Sequence, residues 1–588
     1  MRFVIFEDMK HNWTLNNNFS PKHVDQLYKE LLDQSVSAKK YKDELQILST
    51  LLVERGILTI NQAIEFNTFN TDKLHDPYLM LGMDKAVSRV LKAISSNEKI
   101  MVYGDYDVDG TTSVALMMTY LQGLTSNLTY YIPDRYTEGY GISIKGIDTA
   151  KKEKAGLIIA LDCGIKAIDK IEYANELDID FIICDHHTPG KEIPDCIAVL
   201  DPKQENCGYP YKELSGCAIG YKLCQAISTK TSGNENNLLE LLDFVAISLA
   251  CDIVPLTEEN RVLIAMGLNR INAVPRASIT ALLGEKEEHK LFTVSDLVFQ
   301  AGPKINAAGR ISSGKKAVDL LLATEPDEIS KFISQINEYN SSRKEEDKKI
   351  TTEAIDLIKK DPKLQKKNTN VLFQSNWHKG VVGIVASRVI EHYYKPTIIL
   401  TQSSDGVIGG SVRSVKGFNV YNALEACSGS MLQFGGHKYA AGLTLKNTQL
   451  EEFTRKFEEV VSYQMDIPSF ISEIKYDTEI ELGNISFKLK QFVDKLSPFG
   501  PQNMTPTFVT RNVINAGQSR VVGADKTHLK LEIKHPNSEI KINGIAFGLG
   551  HHEKEIISGK PFDIIYTIDI NYWKNTQTLQ VMVKDIKF

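Results

Sequence analysis

The sequence lacks several features that would assign it to a class of protein at once. Its eight cysteines form no CxxC pair, which favours reduced, buried thiols, and no GxxxxGK[ST] loop is present, so no ATP-driven motor is indicated. No run of about 18 apolar residues occurs, so no membrane span is expected. The first ten residues contain Glu7 and Asp8 instead of an apolar signal-peptide core. We therefore expect a cytoplasmic protein with reduced cysteines.

An excess of charge of one sign is also absent. The 68 Lys and Arg residues against 74 Asp and Glu residues give a net charge of −6. Any nucleic-acid site must therefore be a local basic patch and not a uniformly basic surface. Hydrophobic residues make up 42% and charged residues 24%, which is typical of globular proteins. At a length of 588 residues, about three or four domains are expected.

The chain alternates between short apolar runs and helical patterns, which predicts an α/β fold. Runs at 99–104, 156–161, 179–184 and 197–200 read as buried strands of a parallel sheet with helices on both faces. A charged segment without proline, 331–360, predicts a long connecting helix, and a second strand–helix–strand unit follows it. Beyond about residue 468 the pattern becomes β-rich and predicts an OB-like barrel of about five strands.

Acidic and histidine side chains follow the predicted strands. In a parallel sheet the carboxyl ends of the strands meet at one edge, so these side chains are expected to converge. The cluster consists of Asp105, Asp107 and Asp109 after the first strand, Asp162 after the second, Asp185, His186 and His187 after the third, and Asp252 within an apolar helical segment.

Converging carboxylates repel one another unless a cation lies between them. A set of Asp and His without thiolates favours Mn²⁺, or Mg²⁺, over zinc. The ligands suffice for two ions about 3.5–4 Å apart, with Asp162 as the bridge and a water between the ions attacking phosphorus in line. Each signal has an ordinary alternative: DxDxDG resembles half of a calcium loop, although Leu116 stands where an EF-hand has Glu.

Four further segments carry groups that bind phosphate. Each alone is commonly a structural turn, but together they indicate a track for the phosphates of a polymer. They are Arg135 after Pro133-Asp134, a predicted loop 302–310 with Asn306 and Arg310, a predicted turn 409–414 with Ser411 and Arg413, and a turn 435–442 with His437.

The barrel region contains aromatic and basic residues with two possible roles. The aromatic side chains either stack on bases or form the barrel core, and the lysines either contact DNA or are solvated edge charges. These residues are Phe508, Phe547, Tyr566, Tyr572 and Trp573, with Lys526, Lys530, Lys534 and Lys541.

The motif series resembles that of the DHH phosphoesterases and, more narrowly, the bacterial RecJ exonucleases. The motifs are DYDVDG at 105–110, PDR at 133–135, LDCG at 161–164, CDHH at 184–187, NAAGR at 306–310, GGSVRS at 409–414 and GGH at 435–437. The resemblance implies a 5′→3′ exonuclease that acts on single-stranded DNA with Mn²⁺ or Mg²⁺, releases 5′-mononucleotides and serves DNA repair and recombination. The implied domains are an N-terminal helical segment (1–75), a DHH catalytic domain (76–325), a connecting helix (326–362), a DHH-associated α/β domain (363–465) and an OB fold (466–588).

The resemblance also implies roles for individual residues. Asp107, Asp109, Asp162, His186 and Asp252 match metal ligands, and Asp105 is either a further ligand or a group behind them. His187 would face the scissile phosphate, while Asp185 would orient His186. The phosphate-binding positions are Arg135, Arg310, Ser411, Arg413 and His437. Single-stranded DNA is the implied substrate, with a single-strand-binding protein and a repair helicase as partners.

Two other functions use the same motifs. A DHH phosphodiesterase of dinucleotides or short oligonucleotides would share the metal chemistry, and a substrate length series separates it from an exonuclease. A binding module that has lost turnover would keep the fold alone, but the intact metal motifs speak against it.

Overall fold

Two units share the chain, and each is assembled from separate stretches of sequence. The computed structural model describes residues 11–16, 20–34, 36–231, 235–285, 290–465, 471–573 and 576–588. The sheet unit comprises Thr68–Glu345 and Pro498–Met504, and the barrel unit comprises Met1–Asn67, Glu346–Ser497 and Thr505–Phe588. The first ten residues, on which the expectation about a signal peptide rests, lie outside the described residues. Within those residues, no helix combines the length and the hydropathy needed to cross a membrane.

The barrel unit begins with one short strand and three helices. Its helix α2 (Lys42–Glu54) buries Leu45, Leu48 and Leu52, which recur at helical spacing along one face. The following helix starts at a capping box, in which the side chains of Thr59 and Gln62 bind each other's backbone N–H groups. These elements are β1 (Asn12–Leu15), α1 (Pro21–Asp33), α2 (Lys42–Glu54) and α3 (Ile60–Phe66).

The sheet unit is built on a parallel sheet, as the sequence predicted. Among the described residues its strands are β2 (Lys99–Gly104), β3 (Leu128–Tyr131), β4 (Ala155–Leu161), β5 (Asp180–Cys184) and β6 (Ala198–Leu200), in the order β3-β2-β4-β5-β6. All neighbours are parallel. The edge strand β3 was not predicted, because its four residues are half-buried and do not form a continuous apolar run.

Helices cover both faces of this sheet. Alternate strand residues point to opposite faces, so Ile100 and Val102 enter one apolar core and Met101 and Tyr103 enter another. The described helices are α4 (Met83–Ser95), α5 (Val108–Gln122), α6 (Ile144–Glu153), α7 (Ile168–Glu176), α8 (Gly216–Ser228), α9 (Glu235–Glu240), α10 (Leu242–Cys251), α11 (Glu258–Ala273), α12 (Ala277–Leu283), α13 (Val294–Asp296), a π-helical turn (Leu297–Ala301), α14 (Gly302–Ile311) and α15 (Lys315–Leu322).

The predicted loop at 302–310 is wrong, because this segment forms helix α14. Pro303 occupies its first turn, where the missing N–H of proline costs nothing, and Ala307 and Ala308 favour a helix. The sequence reading gave too much weight to the glycines. As a result, Asn306 and Arg310 lie four residues apart on one helical face.

The long connecting helix is confirmed as α16 (Pro326–Lys360), followed by the short α17 (Pro362–Lys366). A mixed sheet with its helices follows in the barrel unit, formed by β7 (Asn370–Phe373), α18 (Val382–His392), β8 (Thr397–Ser404), β9 (Val407–Arg413), α19 (Val420–Ala426), β10 (Gln433–Gly436), β11 (Ala440–Lys446) and α20 (Leu450–Gln464). The strand order is β10-β11-β9-β8-β7, in which only β7 and β8 are parallel.

The C-terminal part is β-rich, as predicted. Its sheet runs β13-β14-β18-β19-β17-β16-β15, and an additional β14–β16 pairing curls it toward a barrel, while β12 pairs in parallel with β1. The elements are β12 (Glu473–Tyr476), β13 (Thr478–Glu479), α21 (Phe487–Asp494), β14 (Phe508–Asn515), β15 (Arg520–Val522), β16 (His528–Lys534), β17 (Lys541–Ala546), α22 (Glu553–Ile557), β18 (Phe562–Trp573) and β19 (Thr576–Lys587).

Candidate metal centre

Two predicted aspartates lie in the turn between β2 and α5. Asp107 caps α5, because its Oδ1 accepts the N–H of Gly110 at 3.1 Å. Asp105 accepts the N–H of Gly141 at 3.1 Å through Oδ1, while its buried Oδ2 has no hydrogen-bond partner. The turn therefore presents carboxylate oxygens at the carboxyl edge of the sheet.

Asp109, in the first turn of α5, is fixed by the start of α8. Its two oxygens accept the N–H groups of Gly216 at 2.7 Å and Cys217 at 2.9 Å, and the hydroxyl of Ser248 at 2.6 Å. Gly216 also lies against Asp162, where an added Cβ would stand 2.7 Å from the Asp162 Cα. Only glycine permits this approach of α8 to the strand end.

Asp162 follows β4 in a left-handed conformation, with φ at +60°. Its N–H donates to Cys184 O at 2.8 Å, which holds the residue at the strand end. Its Oδ2 is buried and has no hydrogen-bond partner. Aspartate tolerates this backbone region better than most residues, and strained positions of this kind are enriched at functional sites.

Asp185 orients His187, not His186 as expected from the resemblance. Its Oδ1 contacts Nδ1 of His187 at 2.7 Å and accepts the backbone N–H of His186 at 2.7 Å, and its Oδ2 accepts the N–H of Ile165 at 2.9 Å. Burial alone would raise the pKa of Asp185, but its hydrogen bonds to His187 and Ile165 and the charges of His187 and His186 together outweigh it and lower the pKa to about 2. Asp185 is therefore an ionised carboxylate that fixes the His187 ring.

His186 lies at the centre of the acidic side chains. Its Nε2 is 3.2 Å from Asp162 Oδ1, 3.5 Å from Asp252 Oδ2 and 3.7 Å from Asp109 Oδ2. Asp252 was expected inside a helix, but it is the cap that ends α10 and donates its N–H to Ser248 O at 2.9 Å. Its Oδ2 reaches the cluster from this helix end.

The electrostatics of the cluster are unfavourable without a cation. Burial, followed by the charges of Asp109 and Asp107, raises the pKa of Asp162 and that of Asp252 well above the usual range. Burial also lowers the pKa of His186 to about 4, so the imidazole is neutral and free to act as a ligand. A divalent cation would offset the repulsion between the carboxylates.

The donor atoms fit a divalent metal ion. Two sets of ligand atoms lie within 4.8 Å of one another, namely Asp109, His186 and Asp252, and Asp162, His186 and His187. Both ring nitrogens of His186 and one oxygen each of Asp105, Asp162 and Asp252 are buried without a hydrogen-bond partner. Buried polar atoms are normally paired, so these orphaned atoms point to a ligand. The structure thus brings four of the predicted ligands, Asp109, Asp162, His186 and Asp252, into these two sets together with His187, whereas Asp105 and Asp107 lie outside both.

A cavity of about 190 Å³ opens beside the cluster. Asp107 borders it, together with three predicted phosphate-binding residues, Arg135, Asn306 and Arg310. The guanidinium of Arg135 stands 4.6 Å from the ring centroid of Tyr106. Carboxylates and cationic donors therefore share one cleft, as binding of a phosphate through metal ions requires.

The sequence reading missed Tyr140, which lines the same cavity. Its hydroxyl lies 3.1 Å from Nε2 of His187 and 3.3 Å from Asp162 O. The only sequence signal is its place in the glycine-flanked segment 139–141 after the PDR motif. A tyrosine in a loop has too many possible partners for this contact to be predicted.

Ser411, Arg413 and His437 belong to the barrel unit. The predicted turn for the first two is wrong, since both lie in strand β9, where alternate residues share a face. Arg413 Nη1 donates to Ser411 Oγ at 2.8 Å, and a Cβ on Gly383, in the first turn of α18, would lie 3.0 Å from Arg413 Nη2. His437 lies in the turn between β10 and β11, and β11 pairs with β9. Ser411 and Arg413 thus lie against the start of α18, a favourable site for an anion.

The barrel aromatic side chains differ in their burial. Phe508 and Tyr566 are fully buried, so a stacking role is wrong for them and they belong to the core. Phe547 is 57% exposed and Tyr572 is 45% exposed, which leaves their rings accessible. The side chain of Trp573 lies outside the described part of the chain.

The fold and the metal centre define a DHH-type phosphoesterase. The family model for the DHH family, N-terminal domain, matches residues 99–249, and the model for the DHHA1 domain matches residues 366–463. A third model, the RecJ OB domain, matches residues 476–585.

Curated relatives narrow the class. The chain is 36% identical over 544 residues to the single-stranded-DNA-specific exonuclease RecJ of Bacillus subtilis, covering 92% of this chain and 67% of the relative. It is 33% identical over 527 residues to the Escherichia coli protein of the same name, covering 86% of this chain and 90% of the relative. The chain therefore belongs to the RecJ family of exonucleases, which confirms the resemblance in the sequence.

Solved structures agree with this assignment. RecJ of Thermus thermophilus in complex with Mn²⁺ superposes with a TM-score of 0.80 at 22% identity, over 98% of this chain and 79% of that one, and shows the same fold. A second structure, an exonuclease RecJ bound to manganese, has a TM-score of 0.57 at 28% identity and covers 66% of this chain and 96% of its own.

Proposed function

We propose that this chain is a single-stranded-DNA-specific exonuclease that depends on Mn²⁺ or Mg²⁺. The observation that carries the proposal is the set of buried carboxylate and imidazole atoms without hydrogen-bond partners, beside a cleft that contains cationic donors. The membership of the RecJ family supplies the substrate class, because the relatives are named as exonucleases of single-stranded DNA.

The metal-holding residues are assigned as a set. Asp107, Asp109, Asp162, His186 and Asp252 would hold two ions, with Asp162 shared between them and Asp105 supporting the site from the side. Bound divalent ions would supply an activated water and neutralise the charge of the scissile phosphate. The residues themselves hold the donor atoms in place through the helix starts of α5 and α8 and the end of α10.

His187 would act on the scissile phosphate, and Asp185 would orient its ring. Asp185 holds Nδ1 of His187, which leaves Nε2, now beside the Tyr140 hydroxyl, at the cleft. Burial alone would lower the pKa of His187, but the hydrogen bond to Asp185 and the charges of Asp185, Asp107 and Asp109 together outweigh it and raise that pKa. A proton on Nε2 could then be donated to a phosphate oxygen as negative charge develops there.

Phosphate groups would be held at two places. Arg135, Asn306 and Arg310 supply donors in the sheet unit, and Ser411, Arg413 and His437 supply them in the barrel unit. Arginine forms bidentate, charge-assisted hydrogen bonds with phosphate, so these residues would fix the register of the strand.

The finer features are proposals taken from the family resemblance. They are 5′→3′ polarity, release of 5′-mononucleotides, a role in DNA repair and recombination, a single-strand-binding protein and a repair helicase as partners, and a cytoplasmic location. The division into five segments, at 1–75, 76–325, 326–362, 363–465 and 466–588, likewise stays a prediction.

Digestion of end-labelled DNA tests the proposal. Single and double strands labelled at either end are incubated with Mn²⁺, with Mg²⁺ and with a chelator. We expect nucleotide release from the 5′ end of single strands only, with either metal and not with the chelator. Release from double strands alone, or equal release in the chelator, would refute the proposal. Activity confined to the shortest members of a length series would favour a phosphodiesterase of short oligonucleotides.

A further inference from the structure

The residue directly after Asp252 has a backbone conformation that its side chain does not suit. Ile253 has φ at +61°, in the left-handed region that β-branched residues rarely adopt. It stands just past the end of α10, where a left-handed residue is common but is usually glycine. The choice of isoleucine therefore requires an explanation.

The chain itself must turn at this position. Pro255 O accepts the hydroxyl of Tyr211 at 3.1 Å and Nδ2 of Asn260 at 2.9 Å, and the N–H of Leu256 donates to Pro501 O at 2.8 Å. These bonds fix the segment after the turn, while α10 fixes the segment before it. The turn explains the left-handed backbone, but a glycine would make the same turn with less strain.

Packing does not explain the isoleucine either. The side chain of Ile253 is 74% exposed, whereas its neighbour Val254 is only 8% exposed. An exposed apolar side chain in a strained conformation contributes little to the folded state. Such outliers are enriched at functional sites, where a bound ligand makes use of them.

The surroundings indicate what the ligand is. The adjacent cleft is lined by carboxylate, guanidinium and amide groups, which suit phosphate and metal, and also by the rings of Tyr106 and Tyr140, which suit a base. A nucleotide bound in this cleft also carries a base, whose flat ring is largely apolar and is no longer stacked on neighbouring bases. Ile253 directly follows Asp252, which lines that cleft, and its apolar side chain is exposed.

We propose that Ile253 packs against a nucleobase of the DNA strand whose phosphate is bound at the metal centre. This inference rests on the proposed function and adds a base contact to it. The contact is apolar and has no hydrogen-bond donors or acceptors, so it favours a base at that position without selecting among the four bases.

Removal of the side chain tests the contact. In Ile253→Gly we expect the KM for a single-stranded oligonucleotide to rise about tenfold, as for the loss of an apolar contact, with kcat within about twofold. Thermal stability should stay equal or rise because the strain is relieved. An unchanged KM would overturn the proposal.

A matched control separates strain relief from base contact. Lys154 also has a left-handed conformation at a helix end, with φ at +61°, but it precedes β4 and so lies at the opposite edge of the sheet. Lys154→Gly should change stability in the same direction as Ile253→Gly and leave KM unchanged. An equal rise of KM in both variants would contradict the inference.

Oligonucleotides with a single abasic sugar identify the contacted group. At one position near the 5′ end, loss of the base should raise the KM of the wild type about tenfold. The KM of Ile253→Gly should hardly change, because the two changes remove the same contact. If the two losses multiply at every position, the side chain does not contact a base.

Affinity for the same strands in Ca²⁺, read by fluorescence anisotropy, needs no turnover. A wild type that binds intact strands more tightly than abasic ones, with the difference lost in Ile253→Gly, supports the inference even if no nucleotide is released. The absence of nucleotide release would then refute only the proposed function. Equal affinity of all strands for both proteins would refute the inference.

Discussion

Two buried polar clusters in the sheet unit differ in whether all their buried polar atoms have hydrogen-bond partners. In the first, Lys222 and Glu259 are fully buried and form an ion pair at 3.0 Å. Lys222 also donates to His75 O at 2.6 Å, and Glu259 accepts the hydroxyl of Tyr209 at 2.6 Å and the N–H of His75 at 3.0 Å. In the second cluster, the metal centre, buried oxygens and ring nitrogens remain without partners.

This difference distinguishes a cluster that stabilises the fold from a cluster that binds a ligand. A buried charge whose partners are all protein groups is complete once the chain has folded, and its loss should harm stability. A buried set of like charges with unpaired atoms is complete only with a ligand, so its loss should harm activity and can even favour the folded state. The predictions below test whether stability and activity separate in this way.

The largest effect is expected at Asp162. Asp162→Ala should lower Mn²⁺-dependent nucleotide release at least about 10³-fold, since several kcal/mol of metal-derived transition-state stabilisation is lost. Strand binding should be partly retained, as measured by anisotropy with a labelled single strand. Release within tenfold of the wild type would show that the unpaired cluster is not the metal centre.

The paired cluster should behave in the opposite way. Lys222→Met leaves Glu259 buried without its cation, which should cost about 3–5 kcal/mol of unfolding free energy in urea. The kcat of the remaining folded protein should equal that of the wild type. A stable variant with impaired kcat would contradict the assignment of this cluster to stability, because the cluster would then belong to the active site.

The convergence of the acidic and histidine side chains was predictable from the sequence because parallel topology alone brings strand ends together. Asp109, Asp162 and His186 follow three neighbouring strands, so their convergence needed no side-chain detail. Contacts that depend on side-chain orientation were not predictable. Asp185 binds the His187 ring and not that of His186, and the Tyr140 hydroxyl reaches His187 from a loop.

The errors in secondary structure have a common cause. Glycines led us to expect a loop around Asn306 and a turn around Ser411, yet these residues lie in α14 and β9. In both places, glycine serves close packing between elements and does not end them. Local composition cannot distinguish these two uses, because the neighbouring element is distant in sequence.

Metal-free protein should lose stability as pH rises. The pKa of Asp162 and of Asp252 is raised in the folded state, so above about pH 4, the unfolded value, the folded chain binds more protons than the unfolded chain. The unfolding free energy in chelator should therefore fall as pH increases from about 4 upward. Asp162→Asn should reduce this slope.

Mn²⁺ should reverse the trend, because metal ions bind deprotonated ligands. The check is a series of urea titrations across this pH range with chelator or with Mn²⁺. A slope that is the same in both conditions would mean that the carboxylates do not face a shared cation.

The smallest expected effect concerns the barrel aromatics. Phe547 is exposed, and Phe547→Ala should weaken single-strand binding by about 1–3 kcal/mol if its ring stacks on a base. Its thermal stability should barely change. The buried Phe508 is the matched control, since Phe508→Ala should cost about 3–5 kcal/mol of stability. Unchanged affinity of Phe547→Ala for a single strand would show that Phe547 does not contact DNA.

The most direct test is anomalous diffraction from a crystal of this chain soaked in Mn²⁺. We predict two anomalous peaks among Asp109, Asp162, His186 and Asp252, with Asp162 touching both. Carboxylates turned away from one another, or density without anomalous signal at this place, would contradict the account.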